Sequence, residues 1–137
     1  MQAGGKGDPS PTDRGNIGAG EGPAWHPDGY LLFTGGGRIT KRDAQGNVSM
    51  FRQDAGGANG LFFDRQQRLV VCESARRRIT RTERDGSITV LADNYHGSRF
   101  NSPNDLTIDS RGRIYFTDPV EGVSPGTSGT SLTTDEH

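Results

Sequence analysis

Glu21-Gly22-Pro23-Ala24-Trp25, Asn59-Gly60-Leu61-Phe62-Phe63 and Asn104-Asp105-Leu106-Thr107-Ile108 are three versions of one phrase, and the residues that follow them fall into register. Leu31, Leu69 and Ile114 align, as do Phe33, Val71 and Phe116, while Asp64 meets Asp109 and Arg68 meets Arg113. The phrases begin 38 and then 45 residues apart, close to the roughly 40 to 50 residues of a four-stranded propeller blade. Outer segments repeat as well. Arg38-Ile39-Thr40-Lys41 returns as Arg78-Ile79-Thr80-Arg81, and Gly46-Asn47-Val48 as Gly86-Ser87-Ile88.

The apolar runs Tyr30–Phe33, Leu61–Phe63, Leu69–Val71, Ile88–Leu91 and Ile114–Phe116 are too short for helices and rich in β-branched and aromatic residues. Gly, Asp, Asn or Pro bounds each of them, which is the signature of strands joined by turns. Gly46-Asn47 and Asp85-Gly86 stand where tight hairpin turns belong. The expected fold is therefore all-β, a partial β-propeller with blade one at about 21–55, blade two at about 59–95 and blade three opening at Asn104. About two and a half four-stranded blades are legible, with Trp25, Phe63 and Ile108 expected between neighbouring sheets. Such an arc cannot close a ring, so the chain is expected to be part of a longer reading frame.

Composition agrees with this and excludes other classes. Of 137 residues only 29% are hydrophobic, and 21 Gly with 7 Pro demand frequent turns. No apolar run approaches the roughly 18 residues of a membrane span. Sixteen basic and 17 acidic residues leave a net charge of −1, so no bulk field draws nucleic acid or a membrane surface. Residues 1–20 read as a flexible Gly/Pro-rich leader, 21–122 as the propeller portion and 123–137 as a low-complexity polar tail. The N-terminus lacks the apolar stretch of a secretory signal, which gives a cytoplasmic expectation. Cys72 lies in an apolar strand and is expected to be buried and inert. Arg76-Arg77-Arg78, with Arg81 and Arg84, reads as a solvated hairpin, because no aromatics interleave it. His26, before Pro27, reads as a turn residue.

The repeat also places chemistry. Glu21, Asn59 and Asn104 open the three innermost strands at the mouth of the channel. Isolated Asn and Glu before strands serve as turn formers. Their equivalence in the repeat favours a second use, since one carboxylate and amide oxygens from separate blades are hard ligands suited to calcium or magnesium. No Gly-x-Ser-x-Gly elbow supports a serine hydrolase.

Glu21-Gly22-Pro23-Ala24-Trp25, Ala58-Asn59-Gly60-Leu61, Arg99-Phe100-Asn101-Ser102-Pro103-Asn104-Asp105 and Gly112-Arg113-Ile114-Tyr115-Phe116-Thr117-Asp118-Pro119 resemble the gluconolactonase family that includes regucalcin (senescence marker protein). The resemblance implies a six-bladed propeller with one divalent cation at the channel mouth, calcium first, with zinc, magnesium or manganese as alternatives. It implies hydrolysis of a sugar lactone to an aldonic acid. By the same resemblance Glu21 is a metal ligand, Asn104 lies beside metal and substrate, Arg99 contacts substrate, and Asn101 (substrate) and Asn59 (metal) carry over as further candidates. The family's second metal-binding asparagine, in a Pro-Asn-Gly motif, and its metal-binding aspartate, the candidate general base, have no counterpart before residue 122. The general base is thus expected beyond this chain, and the chain alone is expected to be inactive. The alternatives are a non-catalytic propeller scaffold binding a cation or a protein, and a phosphoester or organophosphate hydrolase on the same architecture. Self-association through open blade edges is a further expectation.

Overall fold

The computed structural model describes Asp13, residues 15–120 and the backbone of residues 130–134. Four strands, β1 (Glu21–His26), β2 (Tyr30–Gly35), β3 (Arg38–Arg42) and β4 (Val48–Arg52), form the first antiparallel sheet in sequence order. A second sheet repeats the plan with β5 (Ala58–Phe63), β6 (Leu69–Glu73), β7 (Arg78–Thr82) and β8 (Ile88–Ala92). A short ribbon, β9 (Asn94–Tyr95) with β10 (Ser98–Arg99), leads into a third sheet of β11 (Leu106–Ile108), β12 (Ile114–Asp118) and β13 (Thr130–Thr134). The inner strand β5 packs against β1 on one side and β11 on the other, so the three sheets fan around one axis as propeller blades. No helix occurs among the described residues, and none is long and apolar enough to cross a membrane.

Each β-strand alternates its side chains between two faces, and β6 shows what that means in a propeller. Leu69 and Val71 join Ala24, Leu32 and Leu61 in the core between blades one and two. Val70 and Cys72 turn the other way, into the core with Leu106, Ile114 and Phe116. A strand buried on both faces carries a continuous apolar run, which is why Leu69-Val70-Val71-Cys72 is so plain in the sequence. Both expected hairpin turns form. The Asp43 and Glu83 amides donate to the carbonyls of Asn47 and Ser87 at 2.9 and 2.8 Å, and Gly46 and Gly86 take positive φ.

Phe63 and Ile108 pack on the inter-blade cores as expected. Trp25 does not; it is 65% exposed. Alternation along β1 turns Ala24 and His26 toward blade two, and Trp25, the repeat counterpart of Phe63, lies on the other face of blade one, where no described sheet packs. His26 is accordingly a strand residue and not a turn residue. Its ring stacks on Tyr30 at 4.5 Å and meets Phe63 edge-on at 4.9 Å, and its Nδ1 accepts the Asp28 amide at 3.0 Å.

The two terminal segments are described in part: residues 13 and 15–20 form no helix or strand, while Thr130–Thr134 form one. Gly20 donates to the Thr34 carbonyl at 2.9 Å, so the end of the leader runs along β2; residues 1–12 lie outside the described residues. Within the supposed tail, residues 130–134 pair along all of β12, from Asp118 opposite Thr130 to Ile114 opposite Thr134. Blade three therefore has three strands among the described residues. The unpaired edge of β12 offers a row of backbone donors and acceptors, and Thr130, Thr133 and Thr134 favour the extended backbone that answers it.

Candidate functional site

Antiparallel order puts the starts of β1, β5 and β11 at the same end of the sheets as the ends of β2, β6 and β12. All the sequence-selected residues fall at this end. Glu21 sits opposite Thr34, and the Thr34 hydroxyl donates to the Asn59 carbonyl at 2.9 Å. The Gly60 amide donates to the Asn104 carbonyl at 2.7 Å, and the Asn104 amide donates to Thr117 at 2.9 Å. One hydroxyl bond and two backbone bonds thus link the strand starts that carry Glu21, Asn59 and Asn104 across three blades.

Two glycines make that approach possible. Gly22 has φ +56, and a Cβ there would overlap the Asn59 carbonyl oxygen. A Cβ on Gly60 would lie 2.7 Å from the Asn104 carbonyl oxygen and 2.8 Å from the Asp105 Cα. The register shift in β1 recurs at the same place in β5, between Ala58 and Leu61. A bulge at a strand end re-aims the side chains beside it, and here it does so next to Glu21 and Asn59 in both blades.

Glu21 is exposed, Asn59 and Asn104 are half-buried, and none of their side chains hydrogen-bonds to another described residue. No three His, Cys, Asp or Glu side chains converge to hold a metal among the described residues. The donor set is one carboxylate with two amide oxygens, which suits a hard cation and covers part of the shell of roughly 6 to 8 oxygens that calcium takes.

The loop from Phe100 to Asp105 is held by a residue that the sequence reading passed over. Asp118, buried at the end of β12, accepts the amides of Asn101 and Ser102, each at 2.8 Å and each on its own carboxylate oxygen. The Asn101 side-chain amide donates back to the Asp118 carbonyl at 3.4 Å. The Ser74 hydroxyl donates to Pro103, and Arg77 Nε donates to Phe100. Arg99 lies at the same end but does not converge on Asn104. Its guanidinium is exposed and donates outward, to the Arg76 carbonyl at 3.2 Å.

A second feature that went unread is Glu73, fully buried at the end of β6. Its Oε1 faces Arg76 Nη1 at 3.1 Å, Arg78 Nη2 at 3.2 Å and Arg52 Nη2 at 3.6 Å. Arg76 also reaches Asp54 at 2.8 Å. The Arg76–Arg78 run is therefore no free solvated hairpin: two of its members anchor a buried carboxylate between blades. Cys72, next to Glu73, is buried as expected, and burial, followed by the charges of Asp105 and Asp118, pushes its thiol far above the ordinary range.

Residues 19–135 match the family described as the SMP-30/Gluconolactonase/LRE-like region. The chain belongs to that family. It is 34% identical over 123 residues to a gluconolactonase of Zymomonas mobilis, covering 76% of this chain and 34% of that protein. It superposes on a gluconolactonase of Xanthomonas campestris with a TM-score of 0.74 at 34% identity, over 84% of this chain and 43% of that one. A virginiamycin B lyase of Staphylococcus aureus shares the fold alone, with a TM-score of 0.62 at 15% identity, over 87% of this chain and 42% of that one. The chain thus spans between about a third and less than half the length of these relatives.

Proposed function

We propose that this chain forms part of a divalent-cation-dependent hydrolase of sugar lactones, of the gluconolactonase type. The observation that carries the reading is the gathering of Glu21, Asn59 and Asn104 at one rim, in a chain 34% identical to gluconolactonases over that region. In the reaction, water adds to the lactone carbonyl, the ring C–O bond breaks, and an aldonic acid is released. Glu21 would supply the negative charge that holds a cation, with Asn59 and Asn104 adding neutral oxygens. A cation bound there supplies polarisation of a carbonyl oxygen and a lowered pKa for water. Asn104 would lie beside both cation and substrate, and Asn101, in the loop that Asp118 fixes, would offer a side-chain N–H to a sugar hydroxyl; Arg99, turned to the Arg76 carbonyl, would meet the substrate away from Asn104. No general base is assigned among the residues of this chain.

Calcium is the expected cation because carboxylate and amide oxygens are hard ligands. The test is calorimetric titration of calcium, zinc and manganese into the purified chain, beside a glucono-δ-lactone assay with a chelated control. Weak calcium binding, removed by Glu21→Gln and reduced by Asn104→Ala, is the expected result, with no appreciable turnover by this chain alone. Cation affinity indifferent to both substitutions overturns the site. Metal-dependent turnover abolished by Glu21→Gln would overturn the expectation of inactivity.

A further inference from the structure

The corner between β6 and β7 carries three consecutive arginines at the same end of the sheets as the rim, and one cleft gathers two of them with Arg99. This cleft, of about 720 Å³, is lined by Arg76, Arg78, Arg99, Asp93 and Asn94, with Ala75 and Gly97 between them. The charge around it does not balance. Of the residues that line it, Arg76, Arg78 and Arg99 stand against Asp93, an excess of two positive charges in a chain whose net charge is −1. Among the described residues Arg99 has no carboxylate partner and donates to the Arg76 backbone carbonyl. Moreover, Arg78 Nε is a buried donor with no acceptor among the described residues, and a buried N–H left unmatched costs about 1–3 kcal/mol.

Solvated arginines on an outer hairpin would be extended into water. Arg76 and Arg78 are instead drawn back against Glu73, so their forks are fixed before any ligand arrives, which lowers the ordering cost of binding. Asp93 and Asn94 also line the cleft; the Asn94 side-chain amide donates to Asp93 Oδ1 at 2.7 Å, so the Asp93 carboxylate repels a bare anion while its other oxygen and the Asn94 amide oxygen accept hydroxyl hydrogens. The combination selects a molecule with an anionic end and a hydroxylated body.

We propose that the cleft is a binding site for the anionic oxygen group, phosphate or carboxylate, of a sugar derivative, with Arg76, Arg78 and Arg99 on the anion and Asp93 and Asn94 on the hydroxyls. Resting on the lactone reading above, it assigns this chain to charged sugar lactones and their acids over neutral ones. The ligand is held by ionic hydrogen bonds, and no covalent step is involved.

The test uses the purified chain and ¹⁵N-resolved NMR titrations with 6-phospho-D-gluconate, D-gluconate, D-glucose and inorganic phosphate, read at the amides of 75–78 and 93–99. Shifts there are expected with the first two probes, tighter for the phosphorylated acid, with glucose silent and inorganic phosphate weaker than the sugar phosphate. Arg76→Gln and Arg99→Gln should each weaken 6-phosphogluconate about tenfold, the loss of one charge-assisted hydrogen-bonding group. Arg78→Lys, which keeps the charge and loses the fork, should weaken it by less. Because Arg76 and Arg78 hold Glu73, each variant spectrum is first compared with that of the parent; Arg99, whose side chain holds no carboxylate, keeps the test decisive if either inner variant unfolds. Binding unchanged by Arg99→Gln, or equal affinity for inorganic phosphate and sugar phosphate, overturns the proposal. Since turnover is not read, failure of the lactonase reading leaves this result standing, and hydrolysis of a neutral lactone without 6-phosphogluconate binding overturns the cleft alone.

Discussion

Replacing Gly22 by alanine tests whether the rim depends on the close approach of β1 to β5. Two separate penalties apply. The residue has φ +56, a left-handed conformation that costs an L side chain about 1–2 kcal/mol. The new Cβ would also overlap the Asn59 carbonyl oxygen and lie 3.1 Å from the Asn59 carbonyl carbon and 3.2 Å from the Leu61 amide nitrogen. Those atoms are backbone, so the relief must come from moving strands, at about 1–3 kcal/mol for an overpacked contact. Together the loss is about 2–5 kcal/mol, a large share of the roughly 5–15 kcal/mol that stabilises an ordinary domain. Gly29→Ala separates the two terms, because Gly29 has φ +92 while its nearest neighbour, the Ala44 Cβ, is at an ordinary 3.7 Å. Urea denaturation followed by fluorescence should show Gly22→Ala less stable than Gly29→Ala by about 1–3 kcal/mol, with calcium affinity falling alongside as Glu21 is pushed from Asn59. Equal destabilisation by the two substitutions would refute the close-packing argument.

Two further outcomes follow from the carboxylates. Asp118→Asn keeps the shape but lets only one side-chain oxygen accept, so either the Asn101 or the Ser102 amide loses its 2.8 Å partner; a loss of about 1.5–3 kcal/mol and faster hydrogen exchange at those two amides are expected, and unchanged exchange would remove Asp118 from its positioning role. Asp109 titrates low, at about 2 against an ordinary 3.8: burial raises it, but the Arg113 amide and guanidinium and the Arg111 amide together outweigh that. A carboxyl whose folded pKa is depressed stabilises the fold fully above its ordinary value and loses that contribution as pH falls toward 2. Asp109→Asn should therefore flatten the acid limb of the stability curve between about pH 4 and pH 2, and an unaltered limb would contradict the assignment.

How much of this was legible depends on where a strand sits in its blade. The inner and second strands are buried on both faces, so β2, β5, β6 and β12 announce themselves as apolar runs and their repeat gives the blades directly. Outer strands meet water, and their pattern thins: Val48 and Met50 on β4 and Ile88 and Val90 on β8 are exposed. Thr130–Thr134 carries one large apolar residue, Leu132, and so reads as tail although its backbone completes the β12 ladder. The Trp25 error has a different origin. The period of two along β1 is unbroken, with Ala24 and His26 buried and Trp25 exposed between them; Trp25 matches Phe63 in the repeat but lies on the face of blade one that no described sheet covers, and a repeat position does not by itself supply a neighbour.

The site was legible to the extent that strand starts fix it. Repeat position alone puts Glu21, Asn59 and Asn104 at one end of the sheets, because each stands at the start of the innermost strand of its blade, and the Thr34 hydroxyl and the Gly60 amide link the backbones of those strand starts. Side-chain direction and long-range pairing are another matter. Arg99 shares the sequence neighbourhood of Asn104, yet its guanidinium turns to the Arg76 carbonyl because β10 ends over the β6–β7 corner. Glu73 closes an apolar strand and looks like an exposed terminus, but the chain folds Gly56 against it: a Cβ on Gly56 would lie 2.8 Å from Arg76 Cδ and 3.0 Å from Glu73 Cδ. That closeness seals the carboxylate from water, and a sealed carboxylate requires cations. The arginines at 52, 76 and 78, unremarkable apart, are therefore consequences of one burial event, and two of them, Arg76 and Arg78, go on to line the cleft with Arg99.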